Sequence, residues 1–138
     1  MDTVIESIAG LGHFALYFGI SIALLFAFKI LYAFVTPHDE WKLVKEDQNT
    51  AAAIGFGGAL VGFCIALSGA ISNSESVIDF IVWGVIAIIA QLFAFGLLRF
   101  TFMPKIVERI VNQEVSAGIM LAAVSIGVGL LNAASMTY

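Results

Sequence analysis

Four long runs of apolar residues, separated by shorter polar segments, dominate the chain. Each run is close to the roughly 20 residues that a helix needs to cross the hydrocarbon core of a bilayer. Backbone polar groups in lipid must be hydrogen-bonded internally, and none of the runs alternates as a barrel strand would, so each is predicted to be helical. We therefore predict an all-α, four-helix polytopic membrane protein forming one membrane domain over residues 1–138. The predicted spans are 11–35, 51–71, 77–103 and 115–136.

An internal repeat relates the two halves of the chain. Residues 22–37 align without gaps on residues 89–104, with eight identities in sixteen positions and a shared Leu-Phe-Ala-Phe at 25–28 and 92–95. After a two-residue gap, the second helix of each half also aligns. The pattern predicts two tandem helical hairpins in the same orientation, repeat one over 11–71 and repeat two over 77–136. A pseudo-twofold axis along the membrane normal would relate them.

Composition narrows the class of protein further. Hydrophobic residues make up 61% of the chain and charged residues 12%, whereas soluble domains average about 25% charged residues. The net charge of −4 argues against nucleic-acid binding, which requires a basic surface. The single cysteine, Cys64, excludes an intrachain disulfide. Because Cys64 stands inside an apolar run, we expect it to be a small buried hydrophobic residue.

The lysines and arginines predict the orientation in the membrane. They occur in or beside the segments that follow the first and third apolar runs, and are absent from the N-terminal segment, the 72–78 loop and the C-terminus. Positively charged loops stay in the cytoplasm. The chain is therefore predicted to cross its membrane several times, with both termini outside the cytoplasm.

The segment Glu46–Gly62 carries a short motif, in which Asn49 begins Asn-x-Ala-Ala-Ala-Ile with a glycine-rich continuation. With the two Phe-rich hairpins, this motif resembles the domain of unknown function 350 family of bacterial inner-membrane proteins, the YjfL-like proteins. The second repeat departs from the motif, because Glu114 stands where Asn49 stands in the first. The resemblance implies the fold and the inner-membrane location, and it implies no activity.

Small residues recur every three or four positions on the second and fourth predicted helices. In lipid, such a face lets helix backbones approach closely. Two interpretations stay open: helix packing within or between subunits, or the lining of a pore. The candidate residues are Gly55, Gly58, Gly62, Ala66, Gly118, Ala122, Ser125 and Gly129.

Four polar side chains fall inside the apolar runs: Lys29, Gln91, Arg99 and Asn132. Polar residues at membrane depth are candidates for function. Lys29 and Arg99 lie toward the cytoplasmic ends of their helices, where long basic side chains also snorkel to the headgroups. Gln91 and Asn132 are interpreted first as interhelical hydrogen bonds that aid packing, and second as ligand contacts.

The two predicted cytoplasmic turns, residues 38–49 and 105–114, are amphipathic. Trp41, Leu43 and Val44 are expected at the membrane interface, as are the apolar residues of the second turn, Ile106, Val107, Ile110 and Val111. We single out Trp41, Asn49 and Glu114 in these turns as candidates for contacting a lipid or a peripheral protein.

The chain contains no set of residues typical of catalysis, metal binding or cofactor binding, so we predict that it is not an enzyme. The favoured hypothesis is a homo-oligomeric scaffold or adaptor that binds lipid or a peripheral protein through its cytoplasmic turns. The alternative is an oligomeric ion channel or small-solute transporter, with the second and fourth helices near the path.

Overall fold

The computed structural model describes residues 2–36, 40–45 and 47–136, without the side chains of Glu40, Trp41 and Phe102. Helix α4 continues into one π-helical turn, and all the described secondary structure is helical, which confirms the predicted all-α transmembrane fold. The elements are α1 Asp2–Val35, α2 Glu40–Lys45, α3 Thr50–Asn73, α4 Val77–Leu97 with its π-helical turn Leu98–Phe102, α5 Ile106–Val111 and α6 Val115–Ser135. Helices α1, α3, α4 and α6 are long and apolar enough to cross a membrane.

Helix α1 begins nine residues before the predicted span. Its 34 residues extend about 51 Å at about 1.5 Å per residue, compared with a hydrocarbon core about 30 Å thick. Asp2, Glu6 and Ser7 occupy the extra turns, which are exposed. The polar start of the chain contains no proline, so it continues the helix beyond the apolar core.

Side-chain caps fix where two of the long helices begin. Asn49 precedes α3, and its Oδ1 accepts a hydrogen bond from the backbone N–H of Ala52 at 3.0 Å. Ser76 precedes α4, and its Oγ accepts from the N–H of Asp79 at 3.1 Å. The Asp79 carboxylate accepts in turn from the N–H of Glu75. These bonds satisfy N–H groups that have no partner inside the helix.

Helices α3 and α6 form the central contact of the bundle. The contacting pairs advance in the same direction along both helices, so α3 and α6 are parallel: Ala51 with Gly118, Gly55 with Leu121, Gly58 with Ala122, Gly62 with Ser125 and Gly129, and Gly69 with Ala133. Helix α4 packs against both of them, and α1 packs against α3 and α4. The ends of the bundle are therefore distinct. We call the end with α2 and α5 the turn end, and the end with Asp2, Ser135 and the 74–76 loop the terminal end.

An aromatic cluster fills the core toward the turn end. The rings of Phe28 and Phe63 stack with centroids 4.7 Å apart, and Tyr32 contacts Phe28, Phe56 and Phe95. Aromatic pairs at such distances are worth about 0.5–1.5 kcal/mol beyond their burial. The cluster ties α1 to α3 and α4, and Phe28 and Tyr32 are the two buried residues of α1.

Candidate functional site

The small-residue faces of α3 and α6 meet each other. A Cβ atom at Gly58 would overlap Ala122, one at Gly118 would overlap the carbonyl oxygen of Ala51, and one at Gly129 would overlap that of Gly62. Gly55 faces Leu121, and Ala66 is fully buried. The eight predicted small-residue positions thus lie on or beside one interhelical contact, with backbone against backbone over most of its length.

Gln91 brings a polar side chain to the middle of that contact. It reaches from α4 to α6, where its Nε2 donates to the carbonyl oxygen of Ser125 at 3.0 Å. A Cβ at Gly62 would come within 2.5 Å of this nitrogen. Gln91 is 1% exposed, and its Oε1 has no hydrogen-bond partner among the described residues. The small residue at 62 creates the space that lets the amide cross between helices.

The other intramembrane candidates do not join Gln91. Lys29 is half-buried beside Leu60 and lines a small cavity of about 120 Å³. Arg99 lies in the π-helical turn of α4, with its guanidinium 5.4 Å from the ring centroid of Phe100. Asn132 is half-buried near the terminal end of α6, and its Nδ2 has no partner among the described residues. The four polar side chains are therefore dispersed over the bundle.

Asn49 holds the two turns together. Besides capping α3, its Nδ2 donates to the carbonyl oxygen of Ile110 at 2.8 Å and to that of Val111 at 3.3 Å. Those carbonyls belong to the last turn of α5, where they have no partner inside the helix. An amide carries both the acceptor and the donor that this position requires. At 2% exposed, Asn49 is an internal connection between the halves of the chain.

Glu114, which the sequence alignment of the two halves pairs with Asn49, has a different environment. Its side chain does not cap α6, and it forms an ion pair with Arg109 at 2.9 Å, with the two side chains 47% and 38% exposed. Such exposed pairs contribute about 0–1 kcal/mol. The two turns therefore differ: one contains a buried amide that spans both, and the other a solvated salt bridge.

The interfacial role expected for the apolar turn residues is wrong for Ile106 and Ile110. Both are fully buried and belong to the core of the bundle. Leu43, Val44 and Val107 are half-buried against the same core, and Val111 is exposed. The side chain of Trp41 lies outside the described residues, as do Pro37, His38 and Glu46. The amphipathic pattern predicts apolar faces toward lipid, whereas these faces cover the end of the bundle.

A cleft that the sequence did not predict opens between α1 and α3 at the terminal end. It has a volume of about 650 Å³, and we call it the terminal-end cleft; its lining residues are Gly10, His13, Phe14, Tyr17, Phe18, Ser21, Ile22 and Leu25 of α1, and Cys64, Leu67, Ser68, Ile71 and Ser72 of α3. The expectation that Cys64 is buried is wrong, because the thiol is exposed on this wall. Hydropathy cannot reveal such a cleft, since a lipid-facing side chain and a core side chain are equally apolar.

Comparison with known proteins shows the family of this chain, but the matching proteins have no stated activity. The family profile called Domain of Unknown Function (DUF350) matches residues 6–136. The chain is 40% identical to the UPF0719 inner membrane protein YjfL of Escherichia coli (strain K12) over 125 residues, covering 91% of this chain and 93% of that protein. It is 26% identical to the UPF0719 transmembrane protein YshE of Bacillus subtilis (strain 168) over 123 residues, covering 88% and 91%. No solved structure matches. The chain is therefore a multi-pass inner-membrane protein that belongs to the DUF350 family.

Proposed function

We propose that the chain is a membrane-embedded scaffold whose two turns form one docking surface for a peripheral cytoplasmic protein. We call this the turn surface; its exposed residues are Lys42, Lys45, Asp47, Gln48, Lys105, Glu108, Asn112, Gln113 and Glu114. The observation that carries the proposal is the Asn49 connection. A side chain of one turn that bonds the backbone of the other fixes the relative position of both, as a docking surface requires.

The charge on the turns favours a protein partner over anionic lipid. Residues 38–49 and 105–114 contain six acidic and four basic residues, whereas lipid-binding segments carry clusters of lysine and arginine. An amphipathic helix inserts into the interface with its apolar face, and the apolar residues Ile106 and Ile110 are already buried in the bundle. Mixed, exposed charges are typical of the rim of a protein–protein contact.

The orientation completes the proposal. The lysines and arginines lie at the turn end or on its side of the helices, which favours the cytoplasm for that end and the outside for both termini. Thiol labelling of intact cells tests it, with the Cys64→Ser protein carrying either Lys105→Cys or Glu75→Cys. A membrane-impermeant maleimide should label the Glu75→Cys protein and leave the Lys105→Cys protein unlabelled until the cells are opened. The reverse pattern would exclude a cytoplasmic partner at the turn surface.

The docking proposal is tested by exchanging charges on the turn surface. A tagged wild-type protein in nanodiscs is incubated with cytoplasmic extract, and each captured protein is purified and titrated against the wild type. The Lys105→Glu, Glu108→Lys double variant should weaken this binding. The matched control is Glu75→Lys at the opposite end, which should bind as the wild type does. Equal binding by all three proteins, or the absence of any partner that binds after purification, would refute the scaffold.

Homo-oligomer formation belongs to the scaffold hypothesis, and transport is the alternative to that hypothesis. The close α3–α6 contact leaves no space between these helices inside one chain, which weighs against a path there. A channel or transporter would therefore use a path between subunits, as closed symmetric assemblies allow. Native mass spectrometry gives the number of subunits. Ion flux into proteoliposomes containing a closed ring of subunits would favour the channel over the scaffold.

A further inference from the structure

Residues 2–13 of α1 form an amphipathic segment that differs from the rest of the helix. At about 100° per residue, four apolar side chains of this segment fall within an arc of about 120°. The polar side chains of Asp2, Glu6 and His13 fall outside that arc. From Phe14 onward, apolar residues occur on every side of the helix, as in a membrane span. We call residues 2–13 the N-terminal extension and the arc its apolar face, which consists of Val4, Ile5, Ile8 and Leu11.

The N-terminal extension continues beyond the end of the neighbouring helix. Gly10 and His13 line the terminal-end cleft together with Ser72, which is next to the last residue of α3. Residues 2–9 therefore extend about 12 Å further, at about 1.5 Å per residue. Each of the four side chains of the apolar face is more than half exposed. An apolar face thus lies where the bundle itself has already ended.

Tilting α1 does not bring the N-terminal extension into the hydrocarbon core. The 34 residues of α1 span about 51 Å, so fitting them into a core about 30 Å thick would require a tilt of about 54°. Transmembrane helices tilt by up to about 40°. Such a tilt would also carry Asp2 and Glu6 into lipid, where carboxylates are costly. The extension therefore lies in the headgroup region or in water.

The apolar face points away from the bundle. Gly10 and His13, which lie outside its arc, line the cleft against α3. Tyr17, on the same side of α1, contacts Phe80 of α4 with ring centroids 5.2 Å apart. The centre of the apolar face lies about 180° around α1 from Tyr17. The other helices of the described chain are therefore on the wrong side to cover this face.

This direction determines how the face can reach the membrane surface. If α1 bends away from the bundle where it leaves the core, the outward apolar face turns onto the leaflet, and Asp2 and Glu6 turn toward water. A bend toward the bundle would place the polar side below instead. Gly10 and Gly12 lie at the level of the bend, and an added Cβ at either would meet nothing within 4 Å. Packing does not require these glycines, whereas a bend does use them, because glycine weakens a helix interior and accompanies kinks.

The length of the apolar face favours lipid over a second copy of the chain. From Val4 to Leu11 it covers about one heptad, whereas helices that pair through such a stripe sustain it over about three or four. An interfacial helix needs no such length, since its apolar face enters the headgroup–acyl boundary to about 5–10 Å. That boundary is adjacent, because the extension is continuous with a membrane span. The extension contains no lysine or arginine, so apolar burial would hold it without attraction to anionic headgroups.

We propose that the N-terminal extension binds the lipid surface at the terminal end, with α1 bent outward at Gly10 and Gly12 and the apolar face in the headgroup–acyl boundary. The contact is independent of the docking function, because the turn surface is at the opposite end of the bundle. It anchors the terminal half of α1, in which every described residue is at least partly exposed.

Spin-label accessibility in liposomes of dioleoyl phosphatidylcholine tests the contact. The Cys64→Ser protein carries a label at Ile8→Cys or, as the matched control, at Glu6→Cys, which is only about 3 Å away along the axis but on the opposite face. The label at 8 should collide mainly with oxygen, which concentrates in lipid, and the label at 6 mainly with a water-soluble nickel complex. Equal access of the nickel complex to both labels would mean an upright helix in water and would overturn the proposal. Protection of the label at 8 from both reagents, with spin–spin broadening that dilution by unlabelled chains removes, would assign the face to a second copy and also overturn it.

The bend is tested in the same assay with the label at Ile8→Cys. The Gly10→Ala, Gly12→Ala double variant favours a continuous helix and should shift the label toward the nickel complex. Gly19→Ala is the matched control, because an added Cβ there also meets nothing within 4 Å but lies inside the span; it should leave the label in lipid. A label that stays equally deep in the double variant would contradict a bend at these glycines.

Discussion

Replacing Gly62 by alanine tests the central helix contact at a point where the two backbones meet closely. A Cβ at this position would overlap the carbonyl oxygen of Ser125 and approach Nε2 of Gln91 to 2.5 Å. A backbone carbonyl cannot rotate away as a side chain can, so α3 and α6 must separate. The separation also breaks the hydrogen bond between Gln91 and Ser125.

The magnitude follows from three contributions. Overpacking costs about 1–3 kcal/mol, and an interhelical hydrogen bond in a membrane contributes about 0.6–1.7 kcal/mol. In the opposite direction, alanine stabilises a helix by about 1 kcal/mol relative to glycine. The net expected loss for Gly62→Ala is therefore about 1–4 kcal/mol of unfolding free energy.

Two glycines provide matched controls on the same two helices. Gly57 on α3 and Gly127 on α6 have nothing within 4 Å of an added Cβ. Gly57→Ala and Gly127→Ala should therefore leave stability unchanged or raise it by up to about 1 kcal/mol. Unfolding is measured by circular dichroism in mixed micelles of mild detergent and sodium dodecyl sulfate. Equal stability of Gly62→Ala and Gly57→Ala would refute the close contact.

Three further substitutions probe the rest of the account, each measured in the same unfolding assay. Asn49→Ala should cost about 1–3 kcal/mol of unfolding free energy, because it removes a helix cap and the two hydrogen bonds that join the turns; a loss no larger than that of an exposed residue would contradict the connection. Gln91→Leu should change stability by less than about 1 kcal/mol, because it removes a modest bond together with an unsatisfied acceptor, so a large loss would indicate a further partner. Phe28→Ala should lower the unfolding free energy by about 3–5 kcal/mol, because Phe28 is fully buried. Phe26→Ala should lower it by less than about 0.5 kcal/mol, because that ring is exposed. Similar losses for the two variants would contradict the assigned buried face of α1.

The transmembrane helices were predictable because hydropathy depends on the residues of each segment alone. The predicted spans 51–71, 77–103 and 115–136 correspond closely to α3, to α4 with its π-helical turn, and to α6. The start of α1 was not predictable in this way, since polar residues outside the lipid neither require nor prevent a helix. The π-helical turn also leaves no trace in a hydropathy pattern.

Contacts between distant residues explain why the candidate site was only partly predicted. The sequence identified Asn49, but its partner Ile110 is 61 residues away and bonds through a backbone carbonyl, which any residue type supplies. Gln91 reaches the carbonyl of Ser125 for the same reason. The faces of Ile106, Ile110 and Cys64 were misassigned because apolar residues fit lipid and protein equally well.

The internal repeat has structural correlates and stays a prediction. In the shared Leu-Phe-Ala-Phe segments, Phe28 and Phe95 are buried, whereas Phe26 and Phe93 are 61% and 63% exposed. Gln48 and Gln113, which the alignment pairs, both have left-handed backbones with φ of 51° and 60°. Such backbones are uncommon outside glycine, so their occurrence at paired positions supports a duplicated hairpin.

The parallel contact of α3 and α6 is the central claim, and a spin-label distance tests it most directly. Thr50 and Ser116 are exposed at the starts of the two helices, beside the contact of Ala51 with Gly118. In the Cys64→Ser protein, diluted with unlabelled chains, labels at Thr50→Cys and Ser116→Cys should give a short distance by double electron–electron resonance. Labels at Thr50→Cys and Leu131→Cys should lie farther apart, since Leu131 is about 22 Å along α6 from Ser116. A longer distance for the first pair than for the second would contradict the parallel arrangement.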